Sequence, residues 1–237
     1  MKPYHAIAIQ DCGEPLQAIP LDQFARVDPH PYQTLGAPYG EQSPYYLRLS
    51  VLEALGEAQR YLQSRRLGWR IQIFDAYRPI AVQRFMVEFT FQDLLRARGL
   101  RADQLTAAQQ TELMAEVNQF WALPSNNPAT PPPHSTGAAL DVTLVDEQGH
   151  SIDMGSPIDE VSERSFPNHF AQCQDARGQS FHRHRKLLNE VMEVAGFRRH
   201  PQEWWHFSLG DQLWAWILQE QEDKGPMVAR YGRVESE

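Results

Sequence analysis

The chain has 237 residues, 42% of them hydrophobic, and a formal net charge of −8. That length suits one large domain or two small ones with a well-buried core, and the acidic balance argues against a nucleic-acid surface or a polybasic membrane contact. Two cysteines without metal-ligand spacing, Cys12 and Cys173, and no apolar run near the ~18 residues of a membrane span point to a reduced, cytoplasmic protein. The first apolar run ends at Gln10 and Asp11, too short for a signal peptide.

In chain order, Ala6 to Gln10 reads as a short strand, and residues 11–46 are irregular and rich in Pro, Gly and Tyr. A first amphipathic helix runs from about Leu47 to Leu67, with Val51, Leu52, Leu55, Ala58, Tyr61 and Leu62 on one face and Gly68 ending it. Ile71 to Tyr77 is a strand stopped by Arg78-Pro79. Helices follow over Ile80–Ala97 and Thr106–Trp121, the second opened by a Thr106/Gln109 capping pair. A proline-rich linker leads to His134. Ala139–Val145 alternates as a strand, with Leu140, Val142 and Leu144 on one face and Asp141 and Thr143 on the other. Asp146 to Gly149 is a hairpin turn, and residues 155–180 are irregular. The basic stretch Arg177–Lys186 reads as a solvated helix start, and that helix continues through Leu187, Leu188, Val191 and Met192 to Gly196. Phe197–Leu209 is the last strand region, Asp211–Glu222 a final helix, and residues 225–237 a flexible tail.

Two stretches carry chemistry. In Pro133-His134-Ser135-Thr136-Gly137-Ala138-Ala139-Leu140-Asp141, an imidazole precedes a carboxylate placed mid-strand, where burial demands a partner. Far downstream, Glu203-Trp204-Trp205-His206 supplies a second histidine. His134, Asp141 and His206 would make a three-ligand set suited to zinc with one position open, leaving Glu203 to take a proton from water. Taken separately, His134 also reads as a loop histidine, Asp141 as a turn-facing carboxylate, and Arg78 in Asp75-Ala76-Tyr77-Arg78-Pro79 as a surface arginine paired with Asp75. The other histidines, His30 and His200 among them, read as solvent-facing.

In this order the three elements resemble the zinc D-Ala-D-Ala dipeptidases, a family related to zinc D,D-carboxypeptidases. The likeness spans roughly residues 30–210. It implies that His134, Asp141 and His206 hold one zinc per chain, that Glu203 is the general base, and that Arg78 stabilises the transition state. Asp153-Met154-Gly155-Ser156-Pro157-Ile158-Asp159 is similar to a family segment whose last aspartate holds the substrate's ammonium, a role that falls to Asp159. Tyr32 in Tyr32-Gln33-Thr34 matches an early family tyrosine that contacts substrate. Two departures bear on the substrate pocket: Pro132 stands where the family has a serine, and no Asn-Phe-x-Gly follows Tyr32.

Strands and helices mix without a βαβα rhythm or a glycine-rich phosphate loop. One α+β domain over residues 1–237 is therefore expected, a small antiparallel sheet carrying the site with helices around it. The resemblance implies hydrolysis of a small D,D-dipeptide. The alternatives are a D,D-carboxypeptidase acting on longer stem peptides and a zinc-stabilised binding domain without catalysis. No nucleic-acid or membrane partner is expected, and nothing in the sequence specifies an oligomeric state.

Overall fold

A computed structural model describes residues 2–221 and 223–234. Among the described residues the strands and α-helices are, in chain order, β1 (Leu16–Ala18), β2 (Ala25–Arg26), α1 (Pro31–Thr34), β3 (Tyr46–Arg48), α2 (Leu49–Arg65), β4 (Arg70–Asp75), α3 (Ile80–Ala97), α4 (Ala107–Phe120), β5 (Ala139–Val145), α5 (Ala176–Val194), β6 (Arg198–Arg199), β7 (His206–Ser208) and α6 (Gln212–Gln221). The architecture is α+β. A five-stranded sheet runs in the order β2-β4-β5-β7-β6, and β1 and β3 form a separate antiparallel pair. The expected antiparallel sheet is corrected at one edge, where β2 runs parallel to β4; the other pairings are antiparallel.

β5 is the central strand, and all seven of its residues are buried. Leu140, Val142 and Leu144 face the main core with Ile71 and Ile73 of β4, Val51, Leu55 and Leu62 of α2, and Leu188 and Val191 of α5. A second cluster joins the α3–α4 hairpin to the loop around Tyr32 and Tyr39 through Val82, Met86, Phe91, Val117 and Trp121. α3 and β5 fall where the periodicity places them, and Thr106 and Gln109 form the expected capping box before α4. α2 starts later than expected, because Tyr46–Arg48 is extended and pairs with β1.

Several expectations are corrected. Ala6–Gln10 is not a strand: Pro3–Ala6 forms a 3-10 turn, and Ile9 makes only an isolated bridge to Ala229. Apolar alternation over five residues resembles a strand, but here Tyr4 and Ile7 are buried against α6 and the chain's last segment. Phe197–Leu209 is not one strand region but a hairpin, β6 and β7, whose turn contains Pro201 and Gln202. The segment after Gly225 is packed through Val234. Ala229 and Tyr231 are buried, and the Val234 amide donates to the Ser135 carbonyl beside His134. Residues 235–237 of the expected tail lie outside the described residues. Among the described residues, no helix is long and apolar enough to cross a membrane.

Candidate active site

One irregularity in β4 prepares the site. Ile73 pairs with Val142, but Asp75 pairs with Asp141, so Phe74 is an extra residue on the β4 side. Such a bulge turns the following side chain to the opposite face. Asp75 therefore leaves the face of Ile71 and Ile73 and joins that of Asp141, where Tyr39 OH (2.9 Å), His30 Nε2 (3.2 Å) and Arg78 Nε (2.8 Å) donate to it. Burial alone would raise this carboxyl, but Arg78, His30 and His134 together hold it below the usual range. His30, expected in solvent, is 3% exposed because it is one of these donors.

Arg78, just past β4, is buried, and every arm has a partner. Besides Asp75 it donates to Gln83 Oε1 (2.9 Å), Asp141 Oδ2 (3.2 Å) and Tyr32 OH (3.3 Å), with the rings of Tyr32 and Trp121 5.0 Å from its guanidinium carbon. Gln83 is held in turn by the Ala122 carbonyl. Solvation loss would lower Arg78, but Tyr32, Asp75 and Asp141 keep it charged. Tyr32 OH donates to Asp159 Oδ2 at 2.7 Å, and Asp159 sits at φ +65°, an uncommon backbone region for a non-glycine residue. Burial, then the Asp141 charge, push Asp159 up to about 7.

The three expected ligands converge. A 3-10 turn over Pro133–Thr136 carries His134, and Gly137 leaves it at φ +69°, where a side chain would strike Leu16. His134 Nδ1 donates to the Ala76 carbonyl at 2.7 Å, which leaves Nε2 as the free lone pair. That Nε2 lies 3.3 Å from Asp141 Oδ2 and 3.2 Å from His206 Nδ1, and His206 Nδ1 lies 3.0 Å from Asp141 Oδ1. Tetrahedral N/O ligands about 2.0–2.2 Å from a zinc ion are roughly 3.3–3.5 Å apart. The spacing fits such an ion. The outer contacts fit as well: His206 Nε2 faces Ser208 Oγ (3.5 Å), which donates to Asp211 (2.9 Å). Burial lowers His206, keeping its ring neutral, and although burial raises Asp141, the two histidines hold it ionised. Among the described residues, these three form the one cluster able to hold a metal.

Glu203 precedes β7 on the hairpin turn rather than on the strand, so Glu203 and His206 reach the same side despite their three-residue spacing. Its Oε2 is 3.8 Å from His206 Nδ1. Burial, then Asp141 and Asp159, raise this carboxyl well above the ordinary range. His200, also expected in solvent, packs edge-on to the His206 ring, and burial keeps it neutral. A cavity of about 40 Å³ is lined by Arg78, His134, Asp141, Asp159, Glu203 and His206, with Lys2, Tyr4 and Trp121 in its wall. Tyr32 reaches this group through Arg78 and Asp159. A larger cavity of about 860 Å³, lined by Phe74, Met154, Ile158, Phe181 and Trp204 among others, contains none of His134, Asp141 and His206. The sequence placed Asp75 only as Arg78's partner in a surface turn. It gave no signal for Lys2, Tyr4 or Gln83.

A D-alanyl-D-alanine dipeptidase of Synechocystis sp. is 51% identical over 241 residues, which cover 99% of this chain and 98% of its own. Another, from Escherichia coli strain K12, is 45% identical over 76 residues, 32% of this chain and 37% of its own. The solved structure of VanYB in complex with D-Alanine-D-Alanine aligns with a TM-score of 0.46 and 15% identity over 75% of this chain and 78% of that one. The Peptidase_M15 family model, described as D-ala-D-ala dipeptidase, matches residues 25–224, and the chain belongs to that family.

Proposed function

We propose that the protein is a zinc peptidase that hydrolyses free D,D-dipeptides such as D-Ala-D-Ala, with one zinc per chain held by His134, Asp141 and His206. The observation that carries this reading is the convergence of His134, Asp141 and His206: His134 Nε2 lies 3.2 Å from His206 Nδ1, Asp141 turns Oδ2 to the first (3.3 Å) and Oδ1 to the second (3.0 Å), and the Glu203 carboxylate lies beside them. Zinc at such a site supplies Lewis acidity and brings the acidity of water toward neutrality. Glu203 accepts the proton of the attacking water at a carboxylate made more basic by burial, then delivers it to the leaving amine. Arg78, pinned by Asp75 and Gln83, offers fixed N–H donors to the oxygen that becomes negative. Asp159 and Tyr32 receive the substrate's ammonium.

The Asp159–Tyr32 pair favours this substrate over a longer stem peptide, whose corresponding nitrogen is acylated and carries no charge. The test is release of alanine from D-Ala-D-Ala by zinc-loaded protein with and without a chelator. Chelator-insensitive hydrolysis, or none with zinc present, overturns the proposal.

A further inference from the structure

Lys2 belongs to no motif, yet it lines the cavity beside Glu203 and Arg78. Its segment is anchored: Tyr4, two residues on, is 4% exposed and packs with Leu213 and Ile217 of α6. The ammonium makes a long contact, 3.5 Å, to the Gln119 carbonyl at the end of α4, and no carboxylate among the described residues is paired with it. Arg78, by contrast, already donates to Asp75, Gln83, Tyr32 and Asp141. Lys2 is thus the cation of this cavity with capacity to spare. Its burial disfavours the charged form, with Glu203 as the compensating charge.

A free dipeptide is a zwitterion. Asp159 and Tyr32 offer acceptors for its ammonium, but its carboxylate needs a donor. Pro132 has no hydroxyl to give, and Arg78 faces the reacting carbonyl in the reading above. We infer that Lys2 binds the carboxylate of the substrate's second residue and so makes the enzyme select peptides with a free C-terminus. This rests on the dipeptidase reading for the kind of substrate. A charge-assisted hydrogen bond in a shielded cavity corresponds to about 10- to 100-fold in affinity.

The test is binding, measured by calorimetry on zinc-loaded Glu203→Gln protein, which holds substrate without turning it over. D-Ala-D-Ala and its C-terminal amide are compared with Lys2 present, with Lys2→Met, which keeps the apolar stem, and with Lys2→Arg, which keeps the charge. The expected result is an acid-over-amide preference of about 10- to 100-fold with Lys2, its collapse in Lys2→Met and its retention in Lys2→Arg. An equal preference in Lys2→Met, no preference with Lys2 present, or no dipeptide binding overturns the assignment. Hydrolysis by the unaltered chain is followed in parallel. Lys2-dependent binding without turnover sinks the peptidase reading and leaves the Lys2 site standing, whereas turnover with no Lys2 effect does the reverse.

Discussion

Replacing Asp75 by asparagine tests whether the bulge at Phe74 builds a charged keystone or only an irregular strand end. Asp75 Oδ1 accepts from His30 and Tyr39, while Oδ2 accepts from Arg78. Asparagine has one acceptor oxygen, so in either amide orientation its NH2 faces a donor. The site is fully buried and water cannot fill in. Removing one partner of a buried ion pair costs about 3–5 kcal/mol. Arg78 keeps Asp141 as a partner, which puts the expectation near the low end, about 3 kcal/mol. Urea unfolding of zinc-depleted Asp75→Asn should therefore show a midpoint lower by roughly 1 M, for a slope of about 2–3 kcal/mol per M. The sign with pH follows from the depressed native pKa. Stability from this carboxylate is fully present above its unfolded value near ~3.9 and is lost as pH falls toward the native one. The gap between the two proteins should be widest at neutral pH and shrink below about pH 4. A penalty under about 0.5 kcal/mol at neutral pH, or one that stays constant on acidification, would refute the reasoning.

Three further outcomes are expected. His206→Ala should lose most of its zinc by elemental analysis, and full occupancy would point to another ligand such as His200. Glu203→Gln should keep zinc but lose D-Ala-D-Ala hydrolysis by about two or more orders of magnitude, as for removal of a general base, and activity within a few-fold of the unaltered protein would assign proton transfer elsewhere. The enzyme should cleave N-acetyl-D-Ala-D-Ala at least about ten-fold less well than D-Ala-D-Ala, because the acylated nitrogen offers Asp159 no charge-assisted hydrogen bond. Comparable kcat/KM values for the two peptides would favour the carboxypeptidase alternative, and Asp159→Ala should erase any preference.

Where local physics decides the structure, the sequence was sufficient. Pro79 and the three-to-four-residue spacing of Val82, Met86 and Phe91 set α3, and strict alternation with one buried aspartate set β5. The convergence of His134, Asp141 and His206 was legible because histidine, aspartate and histidine with a neighbouring glutamate form a chemically restricted group. Features set by tertiary context were not. An extra residue at Phe74 leaves no mark in the alternation of β4, and His30 resembles any loop histidine until Asp75 is turned toward it. Arg185 shows the same limit. It sits inside a basic run that reads as solvated, yet it is 1% exposed, donating to the Met154, Arg164 and Phe166 carbonyls and so fixing the loop that delivers Asp159. Lys2 had no periodicity or motif around it to mark it.

The pairing of β5 fixes when during folding the centre can exist. Its neighbours β4 and β7 lie far from it along the chain, so Asp141 meets Arg78 across 63 residues and His206 across 65. No hairpin can nucleate this part of the sheet, and contacts of such long range form slowly, after the chain's entropy has been reduced by other means. A polypeptide growing from its N-terminus carries His134 and Asp141 well before it carries His206 and Glu203. In the proposed reading, synthesis therefore yields an intermediate that holds two of the three zinc ligands and no general base, and the site is complete only once β7 has joined the sheet.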